Sequence, residues 1–159
     1  MQWNTPEADQ QFVSSYADSI LRLCMTYSLN REDAQDICQE IFLKLLEQEK
    51  SFTDQQHERA YIFKMAVNAC KTLLKSAGRR RVVPMDQAEW VPAPERGDNQ
   101  LMEFIRALPE HYGAVVYLFY YEGYSLDEIA KLCSCTPAAA RKRQSRSRKL
   151  LAEKLGVES

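Results

Sequence analysis

Closely spaced basic side chains near the end of the chain are its most prominent chemical feature. Residues 137–159 contain seven Lys or Arg residues and two Glu residues. At about 100° per residue, one helix face there holds Lys142, Ser145, Arg146 and Lys149, flanked by Arg141, Arg143 and Arg148. The opposite face holds Ala140, Gln144, Ser147, Leu151 and Leu155. The basic face suits the phosphates and base edges of a DNA major groove. A solvated basic helix end is the alternative, since cations are favourable at any helix carboxyl terminus.

Two helix starts separated by a short break must position this face. Ser125, with Glu128 three residues later, is the pattern of a capping box, in which each side chain satisfies a free N–H of the first turn. Thr136 is a second N-cap candidate, and Pro137 fits the first helical position because its missing N–H costs nothing there. We therefore predict a helix-turn-helix over 125–155.

A second basic block lies in the middle of the chain. Residues 71–81 contain no acidic side chain and five basic ones, Lys71, Lys75, Arg79, Arg80 and Arg81. Residues 1–70 carry six basic and eleven acidic side chains, and residues 82–136 carry three and nine. Two basic blocks between acidic stretches predict two contacts with a polyanion, while the rest of the chain contacts something else.

Composition is that of an ordinary soluble globular protein. The chain has 159 residues, of which 45% are hydrophobic and 27% charged. It has no apolar run near the length of a membrane span and no signal-peptide pattern at its start. Its five cysteines are an odd number without disulfide-scaffold spacing, which favours a reducing compartment. We expect a cytoplasmic protein.

Apolar spacing is helical throughout, and no stretch alternates like a strand, so we predict an all-α fold. Residues 1–77 form the first domain, a unit of three helices that begins near Thr5-Pro6-Glu7. Residues 78–99 read as a flexible linker that imposes little geometry, because they hold three prolines and little periodicity. Residues 100–159 form a second domain of four helices that ends in the helix-turn-helix.

No catalytic constellation is visible in the sequence. His57 and His111 have no nucleophile or paired acid nearby, and no glycine-rich phosphate loop exists. Cys133 and Cys135 lie in the break of the helix-turn-helix and could bind a metal or respond to an oxidant. No second Cys or His pair has suitable spacing, so we expect no metal, no cofactor and no enzymatic activity.

Both halves of the chain resemble one family. Residues 33–42, DAQDICQEIF, are similar to the region 2 signature DAxDxxQExF of bacterial RNA polymerase sigma factors of the extracytoplasmic-function (ECF) group. Residues 61–68, YIFKMAVN, resemble a later segment of that region. Residues 108–109, 121–125 and 128–130 resemble the start of region 4, and its basic positions are matched by Arg141, Arg143, Arg146 and Arg148. The chain departs from the family pattern at Ala139, Ala140 and Gln144, so the resemblance predicts the fold but not the promoter preference.

The resemblance implies three binding surfaces and two partners, core RNA polymerase and promoter DNA. Polymerase binding is implied for Asp36, Gln39, Glu40 and Phe42. Contact with the separated strand of the −10 element is implied for Tyr61, Lys64, Asn68, Lys71, Lys75, Arg79 and Arg80. Contact with duplex −35 DNA is implied for Thr136, Arg141, Lys142, Arg143, Ser145, Arg146 and Lys149. Family habit also leaves room for an anti-sigma factor.

The sequence is also compatible with two other functions. A stand-alone helix-turn-helix regulator would explain residues 100–159, but not the helix at 33–42 or the second basic block. An enzyme or metal sensor built around Cys133 and Cys135 is the other alternative. Co-purification with core polymerase separates the first from a sigma factor, and metal analysis tests the second.

Overall fold

The computed structural model describes residue 10 and residues 12–48, 52–76 and 99–156. A π-helical turn, Val13–Ala17, leads into the first of seven α-helices in this part of the chain. These are α1 (Asp18–Thr26), α2 (Arg31–Gln48), α3 (Gln55–Ser76), α4 (Asn99–Ala107), α5 (Glu110–Tyr120), α6 (Leu126–Leu132) and α7 (Pro137–Leu155). No residue of the described ranges is in a strand, and the predicted all-α fold is confirmed.

Local side-chain caps define most helix starts, because the first N–H groups of a helix need acceptors. The predicted capping box is present: Ser125 Oγ accepts the Glu128 N–H at 3.2 Å, and Glu128 Oε1 accepts the Ser125 N–H at 2.8 Å. Thr136 Oγ1 accepts the Ala139 N–H at 3.0 Å, and Pro137 opens α7 as predicted. Gly156, with φ of 71°, ends that helix in the left-handed region that glycine tolerates.

Some helix starts have caps that the sequence analysis did not identify, and some predicted boundaries lie outside the described residues. Helix α3 begins at Gln55, because Asp54 Oδ1 accepts the His57 N–H at 2.7 Å and caps the helix there. The predicted helix start at 5–7 and all of the predicted linker except its last residue, Asn99, fall outside the described ranges.

Residues 77–98, which the structure does not describe, separate two runs of helices that we call the first unit and the second unit. The first unit, residues 12–76, packs α1, α2 and α3 around large buried side chains, among them Ile20, Leu23, Ile41, Leu45 and Ile62. The second unit, residues 99–156, packs α4 to α7 around Met102, Ile105, Val115, Leu118 and Ile129. No helix in the described part of the chain is both long and apolar enough to cross a membrane.

A single hydrophobic core continues from one unit into the other, which the sequence did not predict. Helix α1 contacts both α4 and α5, and α3 contacts α6. Gly113 lets α5 pack closely against α1 and α4, since a Cβ atom there would lie 3.2 Å from the carbonyl oxygen of Thr26 in α1 and 3.0 Å from that of Ile105 in α4. The two units are therefore docked directly on each other.

Candidate nucleic-acid interface

Helices α6 and α7 form the predicted helix-turn-helix. The turn between them is held by backbone bonds, and Ser134 adopts a left-handed φ of 54°. Four of the five side chains expected on the inner face of α7 are buried, namely Ala140, Gln144, Ser147 and Leu151, and the side chain of Leu155 is outside the described part of the chain. Gln144 Nε2 donates to Tyr120 Oη at 3.1 Å, which ties α7 to α5. Small side chains at the start of this face let α7 lie close to its neighbours, and its other faces remain accessible.

The basic side chains predicted to contact duplex DNA mostly reach solvent. Exposed members of this set are Arg141, Lys142, Ser145, Arg146 and Lys149, together with Thr136 at the N-cap. Arg143 differs, since it is half-buried and its charge acts on Tyr27 and Cys133, on the side of α7 that faces the first unit. The structure therefore brings together one cationic face of α7 and turns Arg143 away from its centre.

Tyr112 of α5 also lies at this face, which the sequence did not indicate. Arg146 Nη1 donates to Tyr112 Oη, 3.2 Å away on α5. This hydrogen bond, with the nearby charges of Arg146, Lys142 and Arg143, lowers the pKa of the Tyr112 phenol. No sequence signal pairs α5 with α7, so only the tertiary structure reveals this contact.

The predicted −10 contacts on α3 fall into two groups. Asn68 and Lys75 are exposed, and Tyr61 is half-buried with its ring centroid 5.3 Å from that of Phe52. Lys64 Nζ instead donates to the carbonyl oxygen of Lys131 at 2.6 Å and to Ser134 Oγ at 2.7 Å. Two residues of this set, Arg79 and Arg80, lie outside the described residues.

Lys71, the other lysine directed at the second unit, donates from Nζ to the carbonyl oxygen of Cys133. Both lysines thus bind the carboxyl end of α6 and the turn that follows it. Carbonyl groups at a helix carboxyl end lack intrahelical partners and carry partial negative charge, so ammonium groups are favourable there.

Acidic side chains line the accessible face of α2. Asp36, Gln39 and Glu40 are exposed, and Glu40 pairs with Lys44 at 3.1 Å. Phe42 is half-buried, with its ring centroid 5.1 Å from that of Phe12. Three of the four residues predicted to bind polymerase are therefore open to a partner, and the fourth is partly covered.

Two grooves flank this face of α2. One, of about 440 Å³, lies between α2 and α3, and its lining includes Asp36, Glu40 and Asn68. It places members of the predicted polymerase and −10 sets side by side. The other, of about 360 Å³, is mainly apolar and is lined in part by Phe12, Leu21, Cys38, Gln39 and Phe42.

The two cysteines of the helix-turn-helix break are not arranged as a metal site. In the described ranges, no group of three or more His, Cys, Asp or Glu side chains is placed to hold a metal ion. Cys133 is buried, and burial, with a smaller effect of Cys135, raises the pKa of its thiol to about 11. A thiol that stays protonated at neutral pH is a weak nucleophile.

The fold and the exposed basic face of α7 define a helix-turn-helix protein, and comparison with known proteins narrows the class further. Two family models match, sigma-70 region 2 over residues 12–80 and sigma-70 region 4 over residues 98–151. Similar proteins include the ECF RNA polymerase sigma-E factor of Haemophilus influenzae, 25% identical over 98% of this chain and 91% of that protein. The RNA polymerase sigma-H factor of Pseudomonas aeruginosa is 26% identical over 92% of this chain and 93% of that protein.

Among solved structures, the sigma factor RpoE of Bartonella quintana, in complex with the anti-sigma factor NepR, has a similar fold. Its TM-score is 0.74 at 21% sequence identity, and the match covers 96% of this chain and 99% of that one. The chain therefore belongs to the sigma-70 family of RNA polymerase sigma factors, in its extracytoplasmic-function group. It is a promoter-directing transcription initiation factor, and the stand-alone regulator is not favoured, because a region 2 match covers the first unit.

Proposed function

We propose that this sigma factor contacts core polymerase and promoter DNA through three separate surfaces, divided among residues 1–77, a linker at 78–99 and residues 100–159. The exposed cationic face of α7 carries the proposal, because it is dense in donors and has few neighbouring carboxylates. The protein acts in the cytoplasm, where the polymerase is located. The chain itself supplies no catalytic group, since RNA synthesis is the chemistry of the polymerase.

The −35 element is read as duplex by α7. Lys142, Ser145, Arg146 and Lys149 form the centre of the surface, with Arg141 at its edge and Thr136 at the helix start. Arginine and lysine donors suit both phosphates and the acceptor edge of guanine. Arg143 contributes at the margin, because its side chain is half-buried.

The −10 element is held as a separated strand by α3. Asn68 and Lys75 are exposed in this structure. Lys64 and Lys71 donate to the end of α6, and they can contact the DNA strand when those bonds are broken. Tyr61 offers a ring on which a base can stack, and Arg79 and Arg80 extend the cationic path. Each unstacked base costs about a few kcal/mol, which charge and stacking contacts offset.

Core polymerase binds the face of α2 formed by Asp36, Gln39, Glu40 and Phe42. The exposed polar groups suit a basic helical partner, and the apolar groove beside Gln39 and Phe42 accepts its apolar side chains. An anti-sigma factor is a second protein partner for this chain, since the similar RpoE structure contains one.

Run-off transcription tests the function as a whole. Core polymerase with this protein should give discrete transcripts from a subset of genomic fragments, whereas core polymerase alone should give background only. The absence of any transcript above background, with every fragment pool supplied, would contradict the proposal.

A change in salt dependence tests the α7 surface. Replacing Arg146 and Lys149 by Ala should weaken binding to duplex DNA and reduce the slope of log K against log salt by about 0.9 for each phosphate that the variant no longer neutralises. Binding can be measured by fluorescence anisotropy over a salt series. Lys154→Ala, an exposed lysine in the last turn of the same helix, is the matched control and should leave the slope nearly unchanged. An unchanged slope in the double variant would show that this face does not meet DNA.

A further inference from the structure

Tyr112 lies on α5, outside the helix-turn-helix, yet its hydroxyl contacts the basic face of α7. Arg146 Nη1 donates to Tyr112 Oη at 3.2 Å, and the Arg146 side chain is exposed. We propose that Tyr112 is a further DNA-binding residue, which holds the Arg146 guanidinium in place and donates its own hydroxyl proton to the same backbone phosphate. This inference rests on the proposed reading of duplex DNA by α7, whereas the contact between the two side chains in the free protein does not.

Two tyrosines of α5 are hydrogen-bonded to side chains of α7, but their partners differ in exposure. Tyr120 Oη accepts a bond from Gln144 Nε2 at 3.1 Å, and Gln144 is buried. The partner of Tyr112 is exposed, although Tyr112 itself is half-buried. The Tyr112 bond therefore holds a side chain that a ligand can reach.

The donors of the Tyr112–Arg146 pair suit a phosphate. A phenol oxygen that accepts a bond still has its own O–H to donate, and a guanidinium has five N–H donors, of which Tyr112 takes one. No ion pair within the described ranges involves Arg146, so no carboxylate neutralises its charge. The bond from Arg146 is the first cause that lowers the pKa of the Tyr112 phenol, and a phenol polarised in this way is a stronger donor. Two adjoining donors, one of them cationic, can thus bind one phosphate.

The position of Arg146 in α7 favours the DNA backbone over the bases. Base edges are read mainly from the amino end of a recognition helix. Arg146 comes nine residues after Pro137, which opens α7, and at 1.5 Å per residue it lies about 14 Å from that end. Its guanidinium also contacts α5 through Tyr112. Phosphate contacts fix the register and orientation of a protein on the duplex, whereas contacts with base edges select the sequence.

Holding Arg146 before DNA arrives reduces the cost of binding. An unrestrained arginine side chain loses much of its rotamer freedom when it binds a phosphate. The bond to Tyr112 already restricts Arg146, so less freedom remains to be lost. Tyr112→Phe removes this restraint and one donor while it keeps the ring and the net charge. It should therefore weaken duplex binding by about three- to tenfold.

The contact is tested first in the free protein. Tyrosine labelled with carbon-13 at Cζ reports the pKa of each phenol by NMR, and Tyr112→Phe identifies the signal of Tyr112. Arg146→Ala should raise the Tyr112 pKa towards its ordinary value of 10.0, because the first cause of its lowering is removed. Arg148→Ala, the same change at another exposed position of α7, should leave that pKa nearly unchanged. Equal shifts in the two variants would overturn the proposal.

The shared phosphate is tested with the holoenzyme. Core polymerase with this chain binds fluorescein-labelled duplexes, cut from a promoter that the run-off assay identifies, in which one phosphate at a time is replaced by an uncharged methylphosphonate. Among the positions where replacement weakens wild-type binding, one phosphate or two neighbours should no longer matter to either Arg146→Ala or Tyr112→Phe. If Tyr112→Phe kept the complete wild-type profile, the proposal would be overturned.

A double-mutant cycle tests whether the two side chains act together. Tyr112→Phe should weaken duplex binding by about three- to tenfold in the wild-type background, but by less than about twofold when Arg146→Ala is already present. Base-pair changes in the −35 element should alter affinity by the same factors with and without Tyr112→Phe, because a phosphate contact carries no sequence information. Additive effects of the two variants, or a changed base preference, would overturn the proposal.

Tyr120→Phe is the matched control. It removes a hydroxyl from the same helix, but the partner of that hydroxyl, Gln144, is buried. This variant should keep the wild-type phosphate profile, and circular dichroism should show that every variant keeps its helices. If Tyr120→Phe became insensitive at the same phosphate, loosening of α5 against α7 would be the cause, and the proposal would be overturned.

The outcomes distinguish this proposal from the proposed function. If no promoter-specific transcript forms while Arg146→Ala still raises the Tyr112 pKa, the sigma activity and the DNA role of Tyr112 both fail, and only the contact in the free protein remains. If transcripts form and Arg146→Ala weakens DNA binding but Tyr112→Phe does not, the proposed function stands and the role of Tyr112 is wrong.

Discussion

Two buried tyrosines of this molecule differ in whether their hydroxyl groups are hydrogen-bonded. Tyr27 is fully buried, and its hydroxyl has no hydrogen-bond partner within the described residues. Tyr117 is equally buried, but its hydroxyl lies between Arg22 and Glu122. A buried polar group is costly when unpaired and favourable when paired, so identical substitutions at the two positions should have different effects.

Replacing each tyrosine by phenylalanine tests this difference. Tyr117→Phe should lower the free energy of unfolding by about 1–3 kcal/mol, because it leaves buried polar partners unsatisfied. Tyr27→Phe should leave it unchanged or raise it by about 1 kcal/mol, because an unpaired hydroxyl is removed. Urea unfolding followed by circular dichroism measures both. A larger decrease at Tyr27 than at Tyr117 would contradict the argument.

At the scale of elements, Gly113 marks the point where α5 crosses α1 and α4. An added Cβ atom would lie 3.0 Å from the carbonyl oxygen of Ile105 and 3.2 Å from that of Thr26. Both neighbours are backbone atoms, which cannot rotate away as a flexible side chain can. Glycine is therefore a packing requirement here, although it weakens the helix that contains it.

Gly113→Ala sets these two effects against each other. Alanine improves helix propensity by about 1 kcal/mol, whereas overpacking costs about 1–3 kcal/mol. We expect a net decrease in stability by urea unfolding. We also expect faster acylation of Lys64 and Lys71 by an N-hydroxysuccinimide ester, because forcing the units apart would break the bonds of both lysines to the end of α6. Gly123→Ala is the comparison: it meets no atom within 4 Å and strains only a left-handed turn, so it should leave the acylation rates unchanged. A stabilised Gly113→Ala variant would show that the helices adjust freely.

At the scale of the whole molecule, buried acids with raised pKa values predict an alkaline limit of stability. Burial is the first cause for Tyr124, whose pKa rises to about 12, and for Cys38 and Cys133, whose pKa values rise to about 12 and about 11. The pKa values of Tyr16, Tyr27 and Tyr117 are also raised, first by burial. The folded state thus holds these protons to higher pH than the unfolded chain does.

The resulting stability is complete below the ordinary values of 9.0 for the thiols and 10.0 for the phenols, and is lost as pH rises through the folded values. We expect the free energy of unfolding to fall above about pH 9, by at most about 1.4 kcal/mol per pH unit for each group. Urea titrations at several pH values measure this. Tyr124→Phe should reduce the slope between its two pKa values. A constant stability from pH 9.0 to about 12 would contradict the assignment.

The sequence by itself determined the helical fold, the caps of α6 and α7, and the division of α7 into a buried and a cationic face. These features are local: a capping box, a proline at the first helical position and a repeat near 3.6 residues are encoded within a few neighbouring positions. The family motif at 33–42 was also recognisable from the sequence alone. Three of the four residues that it implies in polymerase binding, Asp36, Gln39 and Glu40, are exposed in the structure.

Only the tertiary structure decided how the two units meet. The engagement of Lys64 and Lys71 by the end of α6, the Arg59–Glu122 pair and the Tyr112 contact with Arg146 join residues more than 30 positions apart in the chain. Such contacts depend on shape and on the entropy of closing long loops, neither of which a local pattern records. The chain thus encodes its basic surfaces in local patterns, whereas the packing of one unit on the other depends on contacts between residues far apart in the sequence.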